Sequence, residues 1–485
     1  MNIKYRRLKG TRDIMLEEME RWRWCEGRWS EVLASYGYGE IRTPIIEPTD
    51  LFLRSVGQGT DIVDKEMYTF ESKGGESLTL RPEMTASVVR AYLENGLIRQ
   101  PGTVKFYYMG PMFRHDRPQA GRYRQFHQVG VEAIGSDSPV LDAEVIQTAM
   151  ALFEGVDARG LKVKVNSIGC PECKPGYVAE LKNFLQDNLE VIPVPMQSRI
   201  EVNPLRMFDA KDDGVQELLA GFKPITDSIC PACRTHHDMV LATLTDLEVP
   251  FEEDPALVRG LDYYCRTTFE ITATSGRKQS SLAGGGRYDD LVEQCGGPAT
   301  PAVGFSIGVE RTLLHLNDDP IDPQRSRQSQ VDIYVACKGL DAQRFGFVSA
   351  DILRGYCRVE VDTTDRSLKA QAKSANLRRA RFLLTVGEDE IANDNLQLKN
   401  LDTGEQRSYG PWDPCNPDSG HWENGVCNFF WRGAIGSCII DDIIYKHTMP
   451  IGSYKAWLVL DLTANGNLNI PEIFMYDVVD WQVVP

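Results

Sequence analysis

The sequence predicts an α+β protein of about three domains at roughly 150 residues per domain, and three observations predict it. Two strand-like runs between Thr103 and Gly135 flank the turn-rich RPQAGRY, the pattern of an antiparallel hairpin with a long loop. Beyond residue 330, VDIYVAC, CRVEVDT and ARFLLTVG alternate with helical stretches, an order that calls for a small, largely parallel α/β sheet. From about Ser408 the composition shifts: residues 409–485 hold five of the eight tryptophans and nine acidic against three basic residues. Domains are therefore expected at 1–322, 330–407 and 409–485, the last a β-rich extension of unassigned role. The polar stretch NDDPIDPQRSRQSQ is the expected linker.

Each element has a local reason. Residues 16–35 carry apolar side chains at helical spacing, and the following GYG stops the helix. Ile41–Pro48 reads as an extended segment whose prolines bar it from a central antiparallel position. LTLRPEMTA runs from a strand into a helix, with Pro82 and Glu83 at the junction. DAEVIQTAMALFEG is a helix with acidic residues in its first turn, and LKVKVNSIG alternates as a strand does. Residues 170–250 read as a helical insertion bounded by two Cys-x-x-Cys pairs. Strand signals return with RGLDYYCRTTFEITA, a glycine run follows, and a strand leads into a helix beginning near Val309.

Composition narrows the function classes. Apolar residues at 42% and charged residues at 25% exclude wholesale disorder. A net charge of −16 excludes a uniformly basic nucleic-acid binder, so such a partner needs a local basic patch. No apolar run approaches the roughly 20 residues of a membrane span, and MNIKYRRLKG lacks an apolar leader behind its basic residues. Twelve cysteines in a chain of this size fit a reducing compartment, and a cytoplasmic location is expected.

The phosphate-binding glycine loops are missing: there is no GxxxxGK[ST] and no GxGxxG after a strand. Arginines stand in unusual places instead. Arg114 ends a strand on which Tyr108, Gly110 and Met112 share its face. On the returning strand Phe126, Gln128, Gly130, Glu132 and Ile134 share one, and Gly130 should leave a gap suited to a ligand. A solvated face with an incidental ion pair is the bland alternative. Arg311 falls in a helix's first turn, where it opposes the dipole unless an anion binds there; pairing with Glu310 is the alternative. Arg259 opens RGLDYYC, whose adjacent tyrosines should point to opposite faces. The glycines of AGGGRYDD let a ligand approach the backbone, or simply bend the sheet.

Taken together, LKGTRD, TLRPEMTA, GPMFRHDRPQAGRYRQFHQVGVE, LVRGLDYY, AGGGRYDDLVEQCGG and TPAVGFSIGVERTL closely resemble the bacterial histidyl-tRNA synthetase family of class II aminoacyl-tRNA synthetases. The likeness covers residues 1 to about 407. It implies a class II catalytic domain on an antiparallel sheet, an anticodon-binding domain at 330–407, and ligation of L-histidine to tRNA(His) through a histidyl-adenylate with ATP and Mg2+. By the same resemblance Arg114 and Arg259 serve the α-phosphate and the histidine carboxylate, and Arg311 holds the ATP. Glu83, Thr85 and Gln128 bind the α-amino group, with Gln128 also at the ATP. Glu132 and Tyr264 read the imidazole, and Tyr263, Arg122 and Tyr123 contribute to the pocket or its loop. Arg117, Gln119 and Arg122 would touch the acceptor end of the tRNA, and Lys369, Lys373, Arg378 and Arg379 the anticodon side. Pro44 lies in the family's dimerisation motif, so a homodimer is implied. No general base is assigned, because the tRNA step can be substrate-assisted. The rival within the resemblance is the regulatory subunit of ATP phosphoribosyltransferase, which normally loses catalytic arginines and lacks the anticodon domain.

Two features stand outside that reading. Cys170-Pro-Glu-Cys173 and Cys230-Pro-Ala-Cys233 have zinc-knuckle spacing, so a structural Zn2+ on four thiolates would staple the insertion's ends; free thiols are the alternative. His236 and His237 are substitute ligands, although paired histidines on a helix more often face solvent. In the tail, Asp461–Glu472 nearly fits a calcium loop, but Thr463 and Pro471 depart from it and a strand-connecting turn is the preferred reading.

Overall fold

The computed structural model describes residues 4–15, 17–55, 60, 62–259, 261–274, 281–316, 331–355, 357–392 and 396–409, together with strand segments 421–423, 426–428, 455–459 and 473–477. The expected linker and the calcium-like loop lie outside the described residues. The chain divides into two units, Met1–Asp322 and Pro323–Pro485.

The strands of the first unit are β1 (Gly39–Glu40), β2 (Ile46–Pro48), β3 (Tyr68–Glu71), β4 (Ser77–Leu80), β5 (Val104–Phe113), β6 (Gln125–Ile134), β7 (Leu161–Ser167), β8 (Phe251–Glu253), β9 (Cys265–Ala273), β10 (Ser281–Arg287) and β11 (Ala302–Gly308). Eight of them form one sheet in the order β1-β5-β6-β11-β10-β9-β7-β8. Its six inner strands are antiparallel, but β1 joins β5 and β8 joins β7 in parallel. The expectation of an antiparallel sheet is thus corrected to a mixed one. Each edge strand arrives through a helical crossover or a long connection, which leaves it free to pair in either sense.

Side-chain alternation sorts the sheet into two faces. Val129, Val131, Val303, Phe305, Ile307 and Phe269 join a core with Trp22 and Trp29 of the helix Glu17–Ser35 and Phe153 of the helix Pro139–Gly155. Burial of such side chains is worth roughly 1.5–3 kcal/mol each and seals this face. The opposite face gathers Tyr108, Met112, Met84, Tyr263, Tyr264 and Tyr288, and carries the cleft described below.

The proline-bearing segment 41–48 supplies β2, an edge strand of the small sheet β2-β4-β3. The buried Arg81 guanidinium ties it down by donating to the carbonyls of Thr43 (2.9 Å), Pro44 (3.3 Å) and Pro111 (3.0 Å). The insertion contains the helices Lys174–Gln186, Val194–Val202, Asp213–Ala220 and Pro231–Asp246. Among the described residues no helix is long and apolar enough to cross a membrane.

In the second unit, β12 (Ile333–Cys337), β13 (Val359–Asp362), β14 (Phe382–Val386), β15 (Leu396–Asn400) and β16 (Gln406–Tyr409) form a sheet ordered β13-β12-β14-β15-β16. The first three strands are parallel and the last two are added antiparallel. The α/β reading therefore holds, with a hairpin end that the alternation did not reveal. Two antiparallel strand pairs lie farther along, Lys455–Val459 with Ile473–Asp477 and His421–Glu423 with Val426–Asn428.

Candidate active site

One cleft on the open face of the large sheet brings together Glu83, Thr85, Tyr108, Arg114, Arg122, Tyr123, Gln128, Arg259, Tyr263, Tyr264, Tyr288 and Arg311. These residues span more than two hundred positions of sequence. Strand register explains much of the convergence: Tyr108 is opposite Gly130, Gly110 opposite Gln128, Gly130 opposite Ser306, and Glu132 opposite Gly304.

Glycines keep this face open. A Cβ on Gly304 would collide with the Glu132 carboxylate, and one on Gly284 with the Arg259 guanidinium. The gap expected at Gly130 is filled: a Cβ there would stand 2.5 Å from the Tyr108 hydroxyl. That glycine makes room for a protein side chain rather than a ligand, because the ring of the opposite residue leans across the pleat.

Glu132 is buried behind the cleft wall. It accepts from Thr85 Oγ1 at 2.7 Å, from Tyr108 at 3.3 Å and from the Tyr288 hydroxyl. Burial pushes its carboxyl up to about 8 despite these bonds. Glu83 accepts from the amides of Thr85 (2.6 Å) and Ala86 (3.1 Å), which open the helix Thr85–Glu94, and burial raises its pKa too. It therefore satisfies helix amides and faces the cleft at once.

The arginines form a second cluster. Arg114 donates to the Pro82 carbonyl at 2.8 Å and lies over the Phe126 ring, and burial lowers its pKa. Arg311 donates to the Ser281 carbonyl at 3.0 Å; burial, and then the charges of Arg122 and Arg114, lower its pKa. Glu310 does not pair with it, because that carboxylate is taken by the amide and ring nitrogen of His127. Arg122 pairs with Asp116. Arg259 faces Glu270 at 3.7 Å, and its Nε is buried without a hydrogen-bond partner. Guanidiniums that desolvate and repel one another, one with an unmet donor, suit an anion such as a polyphosphate. Gln128 donates to Ser306 Oγ at 3.0 Å.

Some expectations are revised. Tyr263 and Tyr264 do not alternate across a sheet: both are buried and line the cleft, with ring centroids 4.6 Å apart, because they precede β9 in a turn. His236 and His237 are buried, not on the surface; they pair with Asp142 (2.8 Å) and Glu253 (3.2 Å). Arg117 and Gln119 are exposed on the loop, whose tip closes through paired backbone bonds between Gln119 and Arg122, whereas Arg122 also lines the cleft. Lys369, Lys373, Arg378 and Arg379 belong to the second unit; the two lysines are exposed four residues apart on the helix Leu368–Leu377, with the arginines just after it.

Three residues make contacts that no local motif announces. Tyr288 lies within AGGGRYDD, where its hydroxyl is the available signal, and lines the cleft. Tyr108 shares the face of Arg114 and lines the cleft as well. Asp142, read only as a helix-start acid, is fully buried and accepts from Arg287, His236 and Thr267.

Cys170, Cys173, Cys230 and Cys233 meet with all four sulfurs within 4.8 Å of one another. The separations are 3.7 Å for Cys170–Cys173 and 3.9 Å for both Cys170–Cys230 and Cys173–Cys233. A regular tetrahedron with Zn–S bonds of ~2.3 Å has edges of ~3.8 Å, so the donor set fits such an ion.

A family model described as Histidyl-tRNA synthetase matches residues 10–171 and 219–312, and one described as Anticodon binding domain matches 343–410. The chain is 47% identical over 401 residues to a histidine–tRNA ligase of Desulforamulus reducens, covering 83% of this chain and 96% of that one. It is 45% identical to another from Natranaerobius thermophilus, with 82% and 94% covered. The crystal structure of apo S. aureus histidyl-tRNA synthetase superposes with a TM-score of 0.70 at 35% identity, covering 84% of this chain and 97% of that one. A Bacillus halodurans structure titled as an ATP phosphoribosyltransferase regulatory subunit/histidyl-tRNA synthetase shares the fold, with a TM-score of 0.58 at 18% identity.

Proposed function

The chain belongs to the histidyl-tRNA synthetase family, and from that premise we propose how its own residues carry out the ligation of histidine to tRNA(His). The single observation behind the assignment of roles is the convergence of Arg114, Arg259 and Arg311 with Glu83, Thr85 and Tyr264 in one cleft.

In the first step a histidine carboxylate oxygen attacks the α-phosphorus of ATP and pyrophosphate leaves. Arg259, with its unmet Nε donor, and Arg114 neutralise charge on the α-phosphate and align the carboxylate. Arg311 holds the nucleotide, and Mg2+ travels with the phosphates as the family implies. Glu83 supplies the countercharge for the α-ammonium, with Thr85 and Gln128 beside it. Tyr264 meets the imidazole directly. Glu132, held by Thr85, Tyr108 and Tyr288 behind the cleft wall, would read an imidazole nitrogen as the family resemblance implies. In the second step the terminal ribose hydroxyl of the tRNA attacks the acyl carbon and AMP leaves. Arg117, Gln119 and Arg122 bind the acceptor end; Lys369, Lys373, Arg378 and Arg379 serve the anticodon side.

The four cysteines hold a structural Zn2+, supported by sulfur spacings that match a tetrahedral site. The chain works as a homodimer; the exposed Ile45 and Ile46 beside Pro44, on an edge strand, favour self-association.

Histidine-dependent ATP–pyrophosphate exchange tests the site. Arg259→His should abolish exchange while leaving the melting temperature unchanged, since the guanidinium packs over Gly284 at the cleft and not in the core. Near-normal exchange in that variant would refute the role.

A further inference from the structure

The four-cysteine centre is wired to two tyrosines of the cleft, Tyr264 and Tyr288. On one side, Cys173 is followed at once by Lys174, whose ammonium donates to the Tyr264 carbonyl at 3.0 Å. Two backbone bonds reinforce this seam: Ile168 N–H to the Arg266 carbonyl at 2.8 Å, and Arg266 N–H to the Gly169 carbonyl at 2.7 Å. Gly169 has φ of +75°, and a Cβ there would stand 2.8 Å from Cys173 Sγ. The turn is thus built around the sulfur. On the other side, Cys233 lies one helical turn before His236 on the helix Pro231–Asp246. His236 pairs with Asp142 at 2.8 Å, Asp142 accepts from Arg287 Nε at 3.0 Å, and Arg287 directly precedes Tyr288, which bonds Glu132.

We propose that the metal-locked cysteine centre positions the histidine pocket, with Lys174 as the positioning residue that passes its geometry to Tyr264 and His236 as the second arm toward Tyr288. The proposal rests on the zinc reading above. Its physical basis is that a metal bonded to all four sulfurs, which lie within 4.8 Å of one another, ties the turn Cys170–Cys173 to Cys230 and Cys233, and metal loss removes those bonds and releases the turn that carries Lys174. The arginine cluster has no bond to the centre among the described contacts, so the effect should fall on the amino acid and spare the nucleotide.

The test uses the full-length protein, with zinc content, histidine KM, ATP KM and kcat measured by pyrophosphate exchange. Lys174→Met keeps the apolar stem and removes the donor. It should retain one zinc per chain and raise histidine KM about tenfold while ATP KM and kcat stay within about twofold, and Lys174→Arg should restore most of the loss. Should Lys174→Met fail to fold, chelator-stripped wild-type protein is the second measurement, and its histidine KM must rise in the same selective way. Wild-type protein with no zinc would overturn the metal reading itself. Protein that holds zinc but whose histidine KM ignores both Lys174→Met and metal removal would overturn only the positioning, as would an equal rise in ATP KM.

Discussion

Glu132 is a fully buried carboxyl whose hydrogen-bond partners are all hydroxyls. Burial raises it from 4.5 to about 8, and that shift has a definite sign in stability. Between those pH values the folded protein keeps a proton that the unfolded chain has released. The contribution is therefore fully present below pH 4.5 and is lost as pH rises through about 8. Glu132→Gln removes this titration while Glu83 remains. The variant's stability in urea, relative to wild type, should rise from about pH 5 to about pH 8; a pH-independent difference would mean that Glu132 is already ionised at the lower pH. The sequence placed Glu132 on the right face because a two-residue period is enough for that. It could not show that Thr85, Tyr108 and Tyr288 converge on it, because those partners lie 47, 24 and 156 positions away.

The strand β10 shows how an element separates chemistry from support. Gly284 and Gly285 are adjacent and identical, yet they face opposite ways. A Cβ on Gly284 meets the movable end of Arg259, whereas one on Gly285 meets the Gly304 carbonyl and the backbone of Phe305. Gly284→Ala should leave the melting temperature nearly unchanged and cut pyrophosphate exchange by about a hundredfold through a displaced guanidinium. Gly285→Ala should instead cost about 1–3 kcal/mol of stability by overpacking the sheet. Chemical denaturation run beside the exchange assay separates the two, and equal behaviour of both variants would contradict this assignment of faces. In the sequence the run AGGGRYDD announced a close approach without saying to what. Only the pairing of Gly284 with Ser306 and Gly286 with Gly304 decides which glycine faces the cleft.

For the whole molecule, the two units divide the labour: the cleft lies entirely within residues 62–311, while the exposed lysines of the helix Leu368–Leu377 belong to the second unit. The double substitution Lys369→Glu with Lys373→Glu should lower tRNA charging at least about tenfold and flatten its salt dependence, leaving exchange intact. Sedimentation of the same protein should give twice the 54.5 kDa chain mass, and a monomer that charges tRNA at full rate would end the dimer proposal. The sequence by itself determined the family, the main elements of both units and the arginines and the acidic and tyrosine residues expected in the cleft, because period, turn chemistry and motif are local properties that survive in one dimension. The tertiary structure decided what depends on strand register and burial: that Tyr108 fills the space beside Gly130, that Tyr288 joins the pocket, that both histidines of the insertion are buried, and that Lys174 connects the cysteines to Tyr264. Contacts between residues some 20 to 180 positions apart are fixed by how sheets pair and pack, and no local pattern encodes them.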